Sequence, residues 1–252
     1  MELKGNTVLI TGGATGIGLE LAKAFLNSGN EVIICGRRKD RLDEALKKLP
    51  GLKIIVCDVS DPKSRQKLFD WTSTNFKDLN ILVNNAGIQR DIDLTNGIDE
   101  YLAGENEILI NLEAPIILSG MFIPILKGKK GAAIINVTSG LGFVPAAKMP
   151  VYSATKAALH AFSMALRYQL LKMNIKVFEA IPPALDTELN KEGRAKRGGK
   201  LSFDSSVPDF VSAVMNGLQN DVFEIGFGMS ERFKNASRED LDKSFQFMNS
   251  RM

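Results

Sequence analysis

The segment Asn6-Thr7-Val8-Leu9-Ile10-Thr11-Gly12-Gly13-Ala14-Thr15-Gly16-Ile17-Gly18 constrains the fold of this chain more than any other. A β-prone apolar run of strand length enters a glycine-rich turn. Beyond the turn, apolar residues at 17, 21, 22, 25 and 26 follow the spacing of one helix face. Gly29 stops that helix, and Glu31-Val32-Ile33-Ile34-Cys35 restarts a strand. The result is a βαβ unit whose first turn can set backbone N–H groups and a helix N-terminus against a pyrophosphate. The spacing is Gly12-x-x-x-Gly16-x-Gly18, and a tight strand-to-helix turn alone also asks for glycine on steric grounds.

The alternation continues along the chain. Strands are expected near 7–11, 31–35, 53–57, 80–83, 132–137, 175–181 and 222–226. Helices are expected near 16–28, 39–48, 62–75, 98–126, 151–172, 207–219 and 237–249. Pro62 after Asp61 reads as the first helical residue behind a cap. Such a pattern predicts an α/β fold, a doubly wound parallel β-sheet with helices on both faces and right-handed crossovers. Residues 1–252 read as a single dinucleotide-binding domain. The stretch 188–206 breaks the rhythm with Gly193, Gly198 and Gly199, and is the candidate mobile substrate lid. Within it, Lys191 to Lys200 holds five basic residues and one acid. It suits either an anionic substrate or a solvated lid.

Composition narrows the classes of partner. With 252 residues, 44% of them hydrophobic, the chain can bury a sizeable core. A net charge of +3 and no basic stripe interleaved with aromatics give no reason to expect nucleic acid. The first residues run straight into a strand, so no signal peptide is expected, and no apolar run reads as transmembrane. Cys35 and Cys57 sit at strand ends in apolar runs. They read as buried reduced thiols of a cytoplasmic enzyme, with a disulfide the alternative. One histidine and two separated cysteines make no zinc site, so no metal is expected.

Chemistry enters at Tyr152-Ser153-Ala154-Thr155-Lys156, thirteen residues after Ser139. Tyr and Lys four apart on a helix share a face. A free phenol has a pKa of about 10, and an ammonium one turn away is expected to lower it toward the range useful for general acid–base catalysis. Ser139 can donate a second hydrogen bond to the same reacting oxygen. The pattern is short enough to arise by chance on an amphipathic helix.

Taken together, Thr11-Gly12-x-x-x-Gly16-x-Gly18, Asn84-Asn85-Ala86-Gly87, Asn111, Ser139 and Tyr152-x-x-x-Lys156 resemble the short-chain dehydrogenase/reductase family, in order and at the expected distances, over about residues 5 to 190. Within that family the sequence is most similar to the bacterial DltE-type oxidoreductases. The resemblance implies a Rossmann-like fold, a small-molecule carbonyl or alcohol substrate, and a homodimer or homotetramer paired through the long helices. It also implies a tetrad. Tyr152 gives or takes the proton, Ser139 steadies the oxygen, Lys156 binds ribose hydroxyls and tunes the phenol, and Asn111 holds a water beside Lys156. The cofactor would be held by Thr11, Gly12, Thr15, Gly16, Ile17, Gly18, Asp58, Val59, Asn85, Ala86, Gly87, Tyr152, Lys156, Leu185 and Thr187. Asp58 would meet the adenine amino group or, as a plainer alternative, cap the next helix.

Gly36-Arg37 at the end of the second strand lacks the acid that would hold a ribose 2′-hydroxyl, and arginine suits a 2′-phosphate. This favours NADP(H), with NAD(H) possible, because Thr15 stands where many NADP-preferring relatives carry a second basic residue. In Pro182-Pro183-Ala184-Leu185-Asp186-Thr187, Pro183 replaces the glycine usual in the family, which puts the nicotinamide pocket's local shape in question. His160, one turn past Lys156, reads as a packing or subunit-contact residue. A regulator that senses nucleotide without turnover is the alternative function, and the complete tetrad speaks against it.

Overall fold

The computed structural model describes residues 1–191, 193 and 205–250. Most of the lid expected over 188–206, and of the basic run Lys191 to Lys200, lies outside the described residues. Among the described residues, β1 (Thr7–Thr11), β2 (Glu31–Gly36), β3 (Lys53–Val56), β4 (Leu79–Asn84), β5 (Ala133–Val137), β6 (Lys176–Ile181) and β7 (Glu224–Gly226) form one sheet in the order β3-β2-β1-β4-β5-β6-β7. Every pairing is parallel. Strand order reverses at β1, which pairs with β2 on one side and β4 on the other. In such sheets the crevice at the carboxyl ends of the two central strands is where a ligand enters.

The helices are α1 (Gly16–Asn27), α2 (Lys39–Lys48), α3 (Pro62–Asn75), α4 (Asp99–Leu102), α5 (Ala114–Leu126), α6 (Pro150–Leu170), α7 (Val207–Gln219), α8 (Met229–Asn235) and α9 (Arg238–Asn249). They cover both faces of the sheet. Val8 and Ile10 pack with Phe25 of α1 and Phe210 of α7, whereas Leu9 packs on the other face with Leu118 and Phe122 of α5 and Leu166 of α6. Strand side chains alternate between faces, and a sheet buried on both sides needs continuous apolar runs. That is why β1 and β4 are so easily read. Asp61 caps α3 by accepting from Lys63 N and Ser64 N, at 3.3 and 2.9 Å, with Pro62 at the first turn as expected.

Three readings need correction. The helix expected over 98–126 is broken. The Arg90 guanidinium takes the carbonyls of Tyr101 and Glu105, at 3.0 and 3.1 Å, and that of Glu100, so these carbonyls do not carry a continuous helix. Asn106 then restarts it by capping Ile108 N at 2.9 Å, and Leu109–Glu113 forms a π turn before α5. The helix α8 was not expected at all. Finally, Leu109–Leu126 is long and apolar enough to cross a membrane by length and composition, with a mean hydropathy of 1.8. Here Leu118, Phe122 and Leu126 of that stretch are buried against the sheet.

Candidate active site

The crevice beside β1 is built from hydrogen bonds between its own two walls. Thr11 Oγ1 accepts from both Asn85 N and Ala86 N at 3.0 Å, tying the end of β1 to the turn after β4. Asn85 Nδ2 returns two bonds, to Thr11 O at 2.9 Å and Gly12 O at 3.0 Å. Gly12 lies at φ +63°, and a Cβ there would stand 2.8 Å from Ala86 Cα. A side chain at Gly18 would run into Gly12 O and Asn85 Nδ2. These glycines answer to close backbone approach as well as to turn geometry.

Thr15 stands at the N-cap of α1 in extended geometry, with no side-chain cap bond, and no acid follows in the first turn. By contrast Asp61, Ser206 and Ser237 each cap their own helices. The first N–H groups of α1 are thus left for a ligand, and a pyrophosphate suits them. Ile17 packs onto the core, and a side chain at Gly16 would touch Thr187 Cγ2 at 3.3 Å, so the segment after β6 closes over the same turn. Leu185 is buried beneath it. Thr11, Gly12, Gly16, Gly18, Asn85, Ala86 and Thr187 thus meet around one crevice, and a dinucleotide would fit their chemistry.

At the β2 side, Arg37 is exposed and paired with Glu105, while Glu188 bridges Arg38 at 2.9 Å and Arg41 at 3.3 Å. Asp58 Oδ1 accepts from Ser60 N at 2.9 Å and Ser60 Oγ at 2.7 Å. Burial pushes that carboxyl up, but the Ser60 bonds and the Arg37 and Arg65 charges outweigh it and hold it below its usual range. Val59 is buried, and its carbonyl is held by the buried Arg65 at 2.7 Å.

At the β4–β5 side the remaining candidates converge. Ser139 Oγ accepts from Leu141 N at 3.1 Å at the start of a single 3-10 turn, and its hydroxyl is near enough to the Tyr152 phenol to favour the ionised form. A Cβ on Gly87 would stand 3.2 Å from Asn111 Oδ1 and 3.8 Å from Lys156 Nζ, which places both at the mouth of the crevice. Lys156 Nζ donates to Val137 O at 2.8 Å and lies 5.6 Å from the Tyr152 ring centre.

The expected depression of the phenol's pKa by this ammonium is not what the geometry yields. Burial pushes Tyr152 up to about 12, the nearby Ser139 hydroxyl opposes this, and the negative charge of Glu107 adds to it. Burial likewise brings Lys156 down to about 8, against the pull of Glu179. Desolvation exceeds the pairwise attraction because both groups are shielded and the ammonium is turned toward a carbonyl.

Asn111 is the fixed point of the π turn. Its Oδ1 accepts from Ile88 N at 2.9 Å, and its Nδ2 donates to Ile88 O at 2.8 Å and Thr155 Oγ1 at 3.3 Å. Its side-chain amide is thereby committed to protein groups, so a water beside Lys156 would use the backbone of the π turn instead. Such turns recur at functional sites because they displace one carbonyl from the helix ladder.

Three site residues escaped the sequence reading. Glu107, one turn before Asn111, is fully buried; its Oε1 accepts from Arg90 N at 3.0 Å, its Oε2 has no hydrogen-bond partner, and burial raises its pKa. Glu179 of β6 is equally buried. Ser230 of α8 donates to Pro182 O at 2.8 Å, a carbonyl that also accepts from Gly140 N at 3.1 Å, so α8 braces both the Ser139 turn and the Pro182-Pro183 run. A charged residue amid apolar neighbours was the available signal for Glu179, and an acid at helical spacing from Asn111 for Glu107. Nothing local marked Ser230. Among the described residues, no three His, Cys, Asp or Glu side chains cluster as metal ligands.

Comparison with known proteins agrees with this geometry. Residues 6–198 match the family model for short chain dehydrogenase. The chain is 47% identical to the oxidoreductase DltE of Bacillus subtilis over 249 residues, covering 99% of this chain and 98% of that protein. A short chain dehydrogenase from Burkholderia cenocepacia in complex with NADP superposes with a TM-score of 0.82 at 25% identity, covering 97% of this chain and 99% of that one. One from Burkholderia phymatum in complex with NAD shares the fold at 19% identity, with a TM-score of 0.81 over 90% of each chain. With sequence, sheet order and crevice in agreement, the chain belongs to the short-chain dehydrogenase/reductase family and is an NAD(P)-dependent dehydrogenase/reductase.

Proposed function

We propose that this enzyme reduces a carbonyl compound to an alcohol with NADPH, Tyr152 giving the proton. The observation that carries the reading is the buried Tyr152 phenol, set beside Ser139 and one helical turn from Lys156 in the crevice. Carbonyl reduction needs a proton donor beside the reacting oxygen, and the Lys156 ammonium one turn away can stabilise the phenolate that donation leaves. Thr11–Gly18 and Asn85–Gly87 would hold NADPH, which would supply the hydride.

The chain's own residues do the rest. Ser139 and Tyr152 orient the carbonyl oxygen, and the developing alkoxide takes the phenolic proton. Lys156 holds ribose hydroxyls and, as an ammonium, stabilises the phenolate left behind. Asn111 fixes the π turn and, through Thr155, the spacing between that turn and α6. A proton would then return through Lys156 and a water held against a backbone carbonyl of the π turn. Arg37, exposed at the end of β2, would exchange Glu105 for a 2′-phosphate, and the lack of an acid at that position supports NADP(H) over NAD(H). Residues 1–252 act as one domain, cytoplasmic in view of the two free thiols Cys35 and Cys57. Exposed Met164 and Tyr168 on α6, Leu171 just past its end and Ile116 on α5 suit a homodimer or homotetramer. A screen of carbonyl compounds, read as loss of NADPH absorbance, tests the reading. Turnover of a ketone or aldehyde supports it, and oxidation of alcohols with no measurable reduction would overturn the direction.

A further inference from the structure

Glu179 stands in β6 among Val177, Phe178, Ala180 and Ile181, all buried, and its own side chain is fully shielded. A carboxylate in such surroundings persists only if its oxygens are hydrogen-bonded or its charge is matched. Both oxygens are engaged: Thr138 Oγ1 donates to Oε1 at 2.6 Å, and His160 Nδ1 lies 2.8 Å from Oε2. Both partners lead to Lys156. Thr138 follows Val137, whose carbonyl accepts from Lys156 Nζ at 2.8 Å, and His160 sits one helical turn beyond Lys156 on α6.

His160 is the link to solvent. Its side chain keeps 22% of its surface exposed, and its ring rests 4.7 Å from that of Phe143. The charged groups facing it are Glu179 from β6, Glu224 from β7 and Arg167 from α6, and the last two pair with each other at 2.9 Å. The Glu179 bond raises the imidazole's pKa, burial opposes it, and the Glu224 and Arg167 charges act in opposite directions. Lys156 has a carbonyl as its hydrogen-bond partner, and Glu179 supplies the negative charge that acts on it.

Resting on the reading of Lys156 as part of the reaction site, we propose that Glu179 is a positioning residue that keeps Lys156 an ammonium, with His160 setting how much negative charge Glu179 presents. While His160 is protonated the pair is neutral and supports Lys156 weakly. Once His160 loses its proton, Glu179 faces Lys156 with its full charge. The support therefore grows as pH rises toward the range in which Lys156 would otherwise be lost as a cation.

His160 is the only histidine in the chain, so its ring gives one titrating signal in proton NMR. The Cε carbon of Lys156, assigned by its loss in Lys156→Arg, reports the ammonium. Both are read without cofactor or substrate, so an enzyme that reduces none of the compounds tried leaves the result readable. In the unmutated protein the His160 midpoint should lie above 6.5. Glu179→Gln should lower both midpoints by about one unit or more. His160→Gln, which leaves the Glu179 charge in place, should not lower the Lys156 midpoint. A Lys156 midpoint unmoved in folded Glu179→Gln would overturn the proposal. Should that variant not fold, a His160 midpoint at or below 6.5 in the unmutated protein, or a fall of the Lys156 midpoint in His160→Gln, would overturn it instead.

Discussion

On the β2 side of the crevice, Arg37 and Arg38 are exposed, Arg41 is half-buried, and the three face Glu105 and Glu188. On the β4–β6 side, Tyr152, Lys156, Glu107 and Glu179 are buried and share a handful of hydrogen bonds. Water screens the first set, so each pair contributes at most about 1 kcal/mol and is readily exchanged for a stronger anion. Burial governs the second set, where the cost of holding charge sets which proton stays and which leaves. The same few residue types thus recognise a ligand at one end and fix protonation states at the other. Exposure makes the difference.

Removing the phenol should break the buried end most severely. Tyr152→Phe should fold and bind cofactor normally while losing about 10²–10⁴-fold in turnover, the scale of general acid–base catalysis. Stopped-flow NADPH oxidation on a validated substrate reads this, and unchanged turnover would remove Tyr152 from the chemistry. Lys156→Met sharpens the claim that burial dominates. The Lys156 pKa falls from 10.5 to about 8 in the folded chain. Between these values the unfolded chain holds the proton more tightly, so the wild type gains stability as pH rises through that window and lacks it below. The variant should therefore be more stable than the wild type near neutral pH, by on the order of 2–3 kcal/mol. Urea titrations should show that margin closing as pH rises toward 10.5.

At the exposed end the effects should be smaller. Charge-assisted bonds from Arg37 to a 2′-phosphate should make NADPH bind about ten-fold tighter than NADH. Calorimetry with both cofactors checks it, and equal affinities would leave Arg37 a solvated side chain. Glu188→Gln frees Arg38 and Arg41 of a competing carboxylate and should tighten NADPH by about two- to fivefold, less at high salt. A change as large as that from Arg37→Ala would mean that Glu188 holds its arginines more firmly than a water-screened pair can.

The sequence carried the sheet well and the buried end poorly. Strands such as Val8–Ile10 and Ile81–Val83 were legible because burial on both faces leaves an uninterrupted apolar run. The places of Arg37, Thr11 and the glycines were legible because each follows directly from the end of a strand. The break at Gly104 was hidden, since it is made by Arg90 reaching across from another loop to take helix carbonyls. Helix α8 is short, and what fixes it is Ser230 meeting Pro182 O, a contact 48 residues apart in sequence. The shift of Tyr152 had the sign opposite to that expected. Spacing places Lys156 one turn away, but says nothing of how deeply both side chains lie or that Nζ turns to Val137 O.

The dependence of carbonyl reduction on pH bears most directly on the central claim, that burial keeps Tyr152 an acid while bringing Lys156 close to neutrality. With saturating NADPH and one validated ketone, the rate should stay level from about pH 6 to near pH 8, and fall above about 8 as Lys156 loses its proton. The phenol, protonated to about 12, should impose no limit in that range. A reduction rate that climbs steadily from about pH 6 to 9 would mean that a deprotonated group drives the step, and would contradict the account.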